Sequence, residues 1–151
     1  MTAEELMRRY RMRPHEENGS FSEQHYAQSG TDRPASGLIY YYVAPDEITS
    51  FHRIDCDEYW CYTAGAPLEV WQIGEDGTLT VGRLGTGEGC DPVLLLRRGT
   101  LFGSRHAMGE TEGTFLGCIT VPRFSYDGFE MIPEEEMLRR YPALKPFYQK
   151  Q

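Results

Sequence analysis

Residues 50–65 read SFHRIDCDEYWCYTAG, and this stretch decides how the chain is read. Alternation of side-chain character runs as far as Ile54, breaks at Asp55-Cys56-Asp57, and resumes at Glu58. Strand pleating then places His52 on one face with Ile48, Ser50 and Ile54, and Glu58 on one face with Trp60 and Tyr62. We expect a tight hairpin around Asp55–Asp57 that brings the imidazole and the carboxylate together on the inside of a β-fold. Among aromatic walls such a pair acquires shifted pKa values. Desolvation lets a carboxyl keep its proton, and a neighbouring carboxylate favours imidazolium. Proton transfer needs this arrangement; a hydrogen-bonded pair that merely braces the hairpin is the structural alternative.

Outward from this stretch the same strand signature repeats. GLIYYYVA (37–44) precedes it, closed by Pro45, and LEVWQI (68–73) follows it, turned by Glu75-Asp76-Gly77 into 78–84. Segments 93–97, 100–106 and 114–121 complete about eight short strands bounded by Gly, Pro and Asp. Ten Tyr, seven Phe and sixteen Gly suit strands and tight turns. No helical crossovers separate the strands, so the pattern predicts an all-β sandwich or small closed barrel with its core over residues 37–131. Phe21, Glu23 and His25 alternate as an edge strand ahead of it. Thr2 followed by two glutamates opens an amphipathic helix over 3–12, and Pro133 with Glu134, Glu135 and Glu136 opens another over 134–141.

The 151 residues fit one domain, without internal repeats or a linker. A formal charge of -8 repels phosphate backbones and anionic lipid, which argues against nucleic-acid and membrane partners. The charged amino terminus lacks the apolar stretch of a signal peptide, so a cytoplasmic location is expected. Cys56, Cys61, Cys90 and Cys118 form no CxxC pair and read as reduced thiols.

The order His52, Glu58, Gly65 resembles the first motif of the cupin superfamily. FHRIDCDEYWCYTAGAPLEVW, with PHEENGSFSE, IYYYV, RRGTLFGSR and FLGCITVPRFSYDGFE, is similar to the small single-domain branch known as cupin-5 or DUF985. These blocks span residues 14–131 in the family's order. The resemblance implies a cupin (double-stranded β-helix, or jelly-roll) barrel with short terminal helices. Metal-binding cupins take two histidines and a glutamate from the first motif and a histidine from the second. Here Ile54 and Phe102 stand at two of those four positions, so no metal cofactor is expected. A divalent transition metal would need His52, Glu58 and His106. Cys61 stands where the branch commonly has a histidine.

Trp60, Tyr62, Trp71 and Phe102 are candidates for an aromatic ligand wall, with Ser104 and His106 on the Phe102 face as polar contacts. Each aromatic group also reads as ordinary barrel core. Arg53, Arg97, Arg98 and Arg105 read as solvated, and His15 and His25 as exposed groups outside the barrel, on a front loop that could close over a pocket. The function expected is a metal-independent epimerase, isomerase or lyase acting through His52 and Glu58 on a sugar-like or carboxylate-bearing small molecule. A non-catalytic binding or sensor module and a metal-dependent oxygenase or lyase are the alternatives. Large outward groups at Tyr40, Tyr42, Phe51 and Phe115 suggest a homodimer.

Overall fold

The computed structural model describes residues 1–150. Its strands are β1 (Arg13–Pro14), β2 (Ser20–Ala27), β3 (Ser36–Val43), β4 (His52–Arg53), β5 (Asp57–Gly65) and β6 (Leu68–Ile73). They continue as β7 (Leu79–Leu84), β8 (Val93–Leu96), β9 (Leu101–Arg105), β10 (Thr114–Val121) and β11 (Glu130–Met131). One sheet has the order β1-β2-β3-β10-β5-β8 and the other β11-β4-β9-β6-β7. The pairings between these strands are antiparallel.

Between the sheets, inward-facing Tyr41, Val43, Trp60, Leu68, Val70 and Phe102 form the main core with Leu84, Leu96, Leu116 and Cys118. Burial of this apolar surface is the main driving force for the sandwich. The long strands fall close to where alternation puts them, because one face of each is buried.

The expected hairpin does not form. β4 pairs with β9, His52 lying opposite Phe102, whereas β5 runs between β10 and β8 in the other sheet. The residues between them cross from one sheet to the other. Arg33 grips Asp55 with two hydrogen bonds, of 3.0 and 2.7 Å, Gly99 N donates to Ile54 O at 3.0 Å, and Arg98 N donates to Asp57 Oδ1 at 2.9 Å. Both aspartates thus bind distant partners rather than close a turn. His52 and Glu58 consequently face each other across the sandwich.

The outward aromatic groups are covered by the chain's own ends. Helix α1 (Ala3–Arg9) starts with a capping box in which Thr2 Oγ1 accepts from Glu5 N and Glu5 Oε2 accepts from Thr2 N. It lies over Tyr42 and Phe115, with Tyr10 edge-on to Tyr40 at 4.7 Å. Helix α2 (Glu134–Arg140) and a 3₁₀ stretch, Pro142–Tyr148, cover the other sheet, where Phe147 meets Phe51 at 4.7 Å. The apolar face expected to seat a second copy at Tyr42, Phe51 and Phe115 is therefore already occupied. Arg105 is buried as well: its guanidinium donates to the carbonyls of Pro146, Phe147 and Gln149 and pins the carboxyl-terminal segment. Among the described residues no helix is long and apolar enough to cross a membrane.

Candidate functional site

At one end of the sandwich the core leaves a cavity of about 150 Å³. His52, Ile54, Glu58, Trp60 and Cys118 line its inner part, and the β1–β2 hairpin with residues 123–126 forms its mouth. This hairpin brings in a carboxylate that the sequence reading passed over, Glu17.

The turn carrying Glu17 is tightly specified. Residues 15–19 form the loop, with Asn18 N donating to His15 O at 3.1 Å and His15 N to Gly19 O at 2.9 Å, and Asn18 and Gly19 close it in the left-handed region with φ of 76° and 73°. A Cβ on Gly19 would stand 2.6 Å from Tyr41 Oη, so only glycine fits. Tyr41 Oη donates to Asn18 O at 2.6 Å, Asn18 Nδ2 donates to Ile48 O at 2.8 Å, and Ser50 N donates to Glu17 O at 2.8 Å. Glu17 is thereby driven into the barrel mouth, where its Oε2 lies 2.8 Å from His52 Nε2.

The surroundings of His52 favour its protonated form. Nδ1 lies 2.9 Å from Ser50 O, an atom that only accepts, so Nδ1 carries a proton. Nε2 faces the Glu17 carboxylate at 2.8 Å, which favours a second proton there and so the imidazolium. Burial works against this charge. The adjacent Glu17 carboxylate and the Ser50 carbonyl outweigh it and raise the His52 pKa above its ordinary value. Burial likewise opposes charge on Glu17, and the His52 cation overcomes it, so the Glu17 pKa is lowered. Both side chains are almost fully buried, and such a pair holds only because each partner is hydrogen-bonded.

Glu58 stands on the same cavity without a cation of its own. Burial, followed by repulsion from Glu17, pushes its pKa up to about 7. It is therefore a carboxylic acid for much of the time near neutral pH. The Trp60 indole is near enough to lower that pKa slightly, but its Nε1 is outside hydrogen-bond geometry. Phe102 backs the His52 ring at 4.2 Å between centroids, and Phe129 lies 5.5 Å away on another side.

Around the mouth, His15 packs edge-on to Phe21 at 4.9 Å, and its Nδ1 accepts from Glu17 N at 3.2 Å. Arg13 lies over the Phe21 ring, and Arg123 lies over Tyr26 while reaching Glu23 at 3.3 Å. His15 is thus largely buried in the site rather than exposed, while His25 is exposed at the rim. Asn18-Gly19 was the available signal. It marks a hairpin turn, although it does not say over what the turn folds.

Of the residues singled out from sequence, His52, Glu58 and Trp60 share the cavity, with Phe102 behind His52. Four others are not brought there. Tyr62 Oη donates to Gly65 O at 2.7 Å, and Trp71 packs against Phe147 at 5.4 Å, on the face covered by the carboxyl-terminal segment. Ser104 Oγ pairs with Thr49 Oγ1 at 2.8 Å, and His106 Nε2 with Thr114 Oγ1 at 2.7 Å. Because His106 is held elsewhere and both ring nitrogens of His52 are engaged, the residues present do not fit a metal ion. Among the described residues no three His, Cys, Asp or Glu side chains are grouped to hold one.

Two facing antiparallel sheets that enclose a cavity are the architecture of a cupin barrel. The family described as Cupin superfamily (DUF985) matches residues 4–132, and the chain belongs to that Cupin_5 family. A crystal structure of a Shewanella oneidensis protein is similar at 30% identity and a TM-score of 0.87, over 97% of this chain and 94% of that one. A hypothetical protein from Leishmania major gives 27% identity and a TM-score of 0.86, over 97% and 96%. Oxalate decarboxylase from Bacillus subtilis shares the fold alone, at 13% identity and a TM-score of 0.61, over 91% of this chain and 37% of that one. No curated protein matches the chain.

Proposed function

We propose that the cavity binds a small polar molecule and moves a proton on it without a metal, as an isomerase, epimerase or lyase does. The observation that carries this reading is a buried carboxyl, Glu58, its pKa pushed up to about 7, on the same cavity as the hydrogen-bonded Glu17–His52 pair, whose shifts both favour the ionised form. His52 has no free lone pair, so its part is to hold Glu17 ionised and oriented. The Glu17 carboxylate receives a proton from a carbon next to a carbonyl, and Glu58 donates one to the carbonyl oxygen. Return of the carbon proton to the other face, with Glu58 recovering its own from the enol oxygen, gives the epimer; return to the former carbonyl carbon, with Glu58 taking the proton of the neighbouring hydroxyl, gives the isomer.

The volume supports ligands of ring size. A space of about 150 Å³ holds roughly six to eight non-hydrogen atoms, the scale of a single ring. The test is deuterium wash-in: small ketones and keto sugars are incubated with the protein in D₂O and followed by NMR. Exchange next to the carbonyl is expected, falling by about 100-fold or more in Glu58→Gln. Saturable binding with no exchange would leave a binding module and end the catalytic reading.

A further inference from the structure

One buried donor in the cavity wall, the Trp60 indole, lies close to the Glu58 carboxyl without meeting it in hydrogen-bond geometry. Trp60 is 1% exposed, yet among the described residues its Nε1–H has no hydrogen-bond partner. Such an orphan costs on the order of 1–3 kcal/mol, and buried indole N–H groups ordinarily find an acceptor. Trp60 lines the cavity, two residues from Glu58 on the same face of β5, so both side chains border one small space.

We infer that Trp60 Nε1–H is a ligand-recognition group, donating to a ligand oxygen that sits beside the Glu58 carboxyl, so that the ligand class is a ring-sized carbonyl compound. The inference rests on the reading of this cavity as a small-molecule site and adds its specificity. A ligand oxygen placed there accepts from two donors, the indole and the carboxylic acid. An alcohol oxygen can accept as well but brings its own hydrogen, which must then find a partner. A hydrocarbon of the same shape leaves the indole orphaned. A carbonyl oxygen, with two lone pairs and no hydrogen, matches two converging donors.

The probes are cyclohexanone and methylcyclohexane, equal in heavy-atom count and shape, one with an acceptor and one without. In ¹⁵N-tryptophan-labelled protein there are two indole signals, and Trp71→Phe assigns them. Cyclohexanone should move the Trp60 indole proton downfield, while methylcyclohexane leaves it in place. The affinity preference for the ketone should drop by about fivefold to tenfold in Trp60→Phe. Taking the ratio of the two probes cancels any change in cavity shape, and the indole shift needs no variant at position 60. If both compounds bind and the preference survives in Trp60→Phe, or the indole signal ignores the ketone, the donor role is overturned and the cavity reading stands. If neither compound binds, the cavity reading fails and takes the donor role with it.

Discussion

Two buried histidines at different places in the barrel differ in charge, one neutral and one favoured as the cation. His52 is 3% exposed and His106 1% exposed, so depth does not distinguish them. At His106, burial lowers the pKa to about 4, and the neutral ring donates through Nε2 to Thr114 Oγ1, whose hydroxyl goes on to Ala66 O. At His52 the same burial is overcome by Glu17 at 2.8 Å, and the ring is cationic. Desolvation alone discharges an imidazole; a carboxylate at hydrogen-bond distance keeps it charged. The neutral histidine is packed into structure, and the charged one faces a cavity.

The largest effect expected from this contrast follows removal of the partner. In Glu17→Ala, the buried imidazolium loses its counterion, and stability at pH 5 should fall by about 3–5 kcal/mol. In NMR titration His52 should then behave as His106 does, with a pKa below the ordinary value. An unchanged His52 titration would show that Glu17 is not what holds its charge.

Next comes Glu58, whose folded pKa is raised from 4.5 to about 7. The folded state therefore binds more protons than the unfolded chain between those values, and this residue subtracts stability as pH rises through that window. Glu58→Gln should be more stable than the parent by up to about 3 kcal/mol at pH 8 and no more stable at pH 4.5, in chemical denaturation at both pH values. The Glu17–His52 pair runs differently. It stabilises fully between the two ordinary pKa values, and is lost as pH falls through the lowered Glu17 pKa or rises through the raised His52 pKa. A Glu58→Gln effect independent of pH would break this assignment.

The smallest effect is at the neutral histidine. Thr114→Val removes the acceptor of His106 and should cost about 1–2 kcal/mol, equally at pH 7 and pH 9, because His106 is uncharged at both. The titration of His52 should not move.

Much of the architecture was legible beforehand. Inward alternation located the strands from β3 to β10, and Pro and Gly marked their ends, because a half-buried strand writes its own period. His52, Glu58 and Trp60 were legible as inward residues for the same reason. Their partners were not. Glu17 sits 35 positions before His52, in a polar stretch with no periodicity. Asp55-Cys56-Asp57 looked like a turn because aspartates favour turns, but Arg33 and the Arg98 amide claimed both carboxylates. Trp60 and Trp71 are the same residue type in strands consecutive along the chain, yet the first lines the cavity and the second packs against the carboxyl-terminal cover.

By itself, then, the amino-acid order determined an all-β barrel of the cupin type and the inward orientation of its principal acid and histidine. Tertiary structure alone decided that β4 and β5 belong to opposite sheets, that the amino-terminal hairpin delivers Glu17 to His52, and that the terminal helices cover the outer aromatic groups. The physical reason is range. Pleat and turn preferences act over a few residues, whereas ionisation of a buried group depends on charges within several ångströms, whatever their distance along the chain.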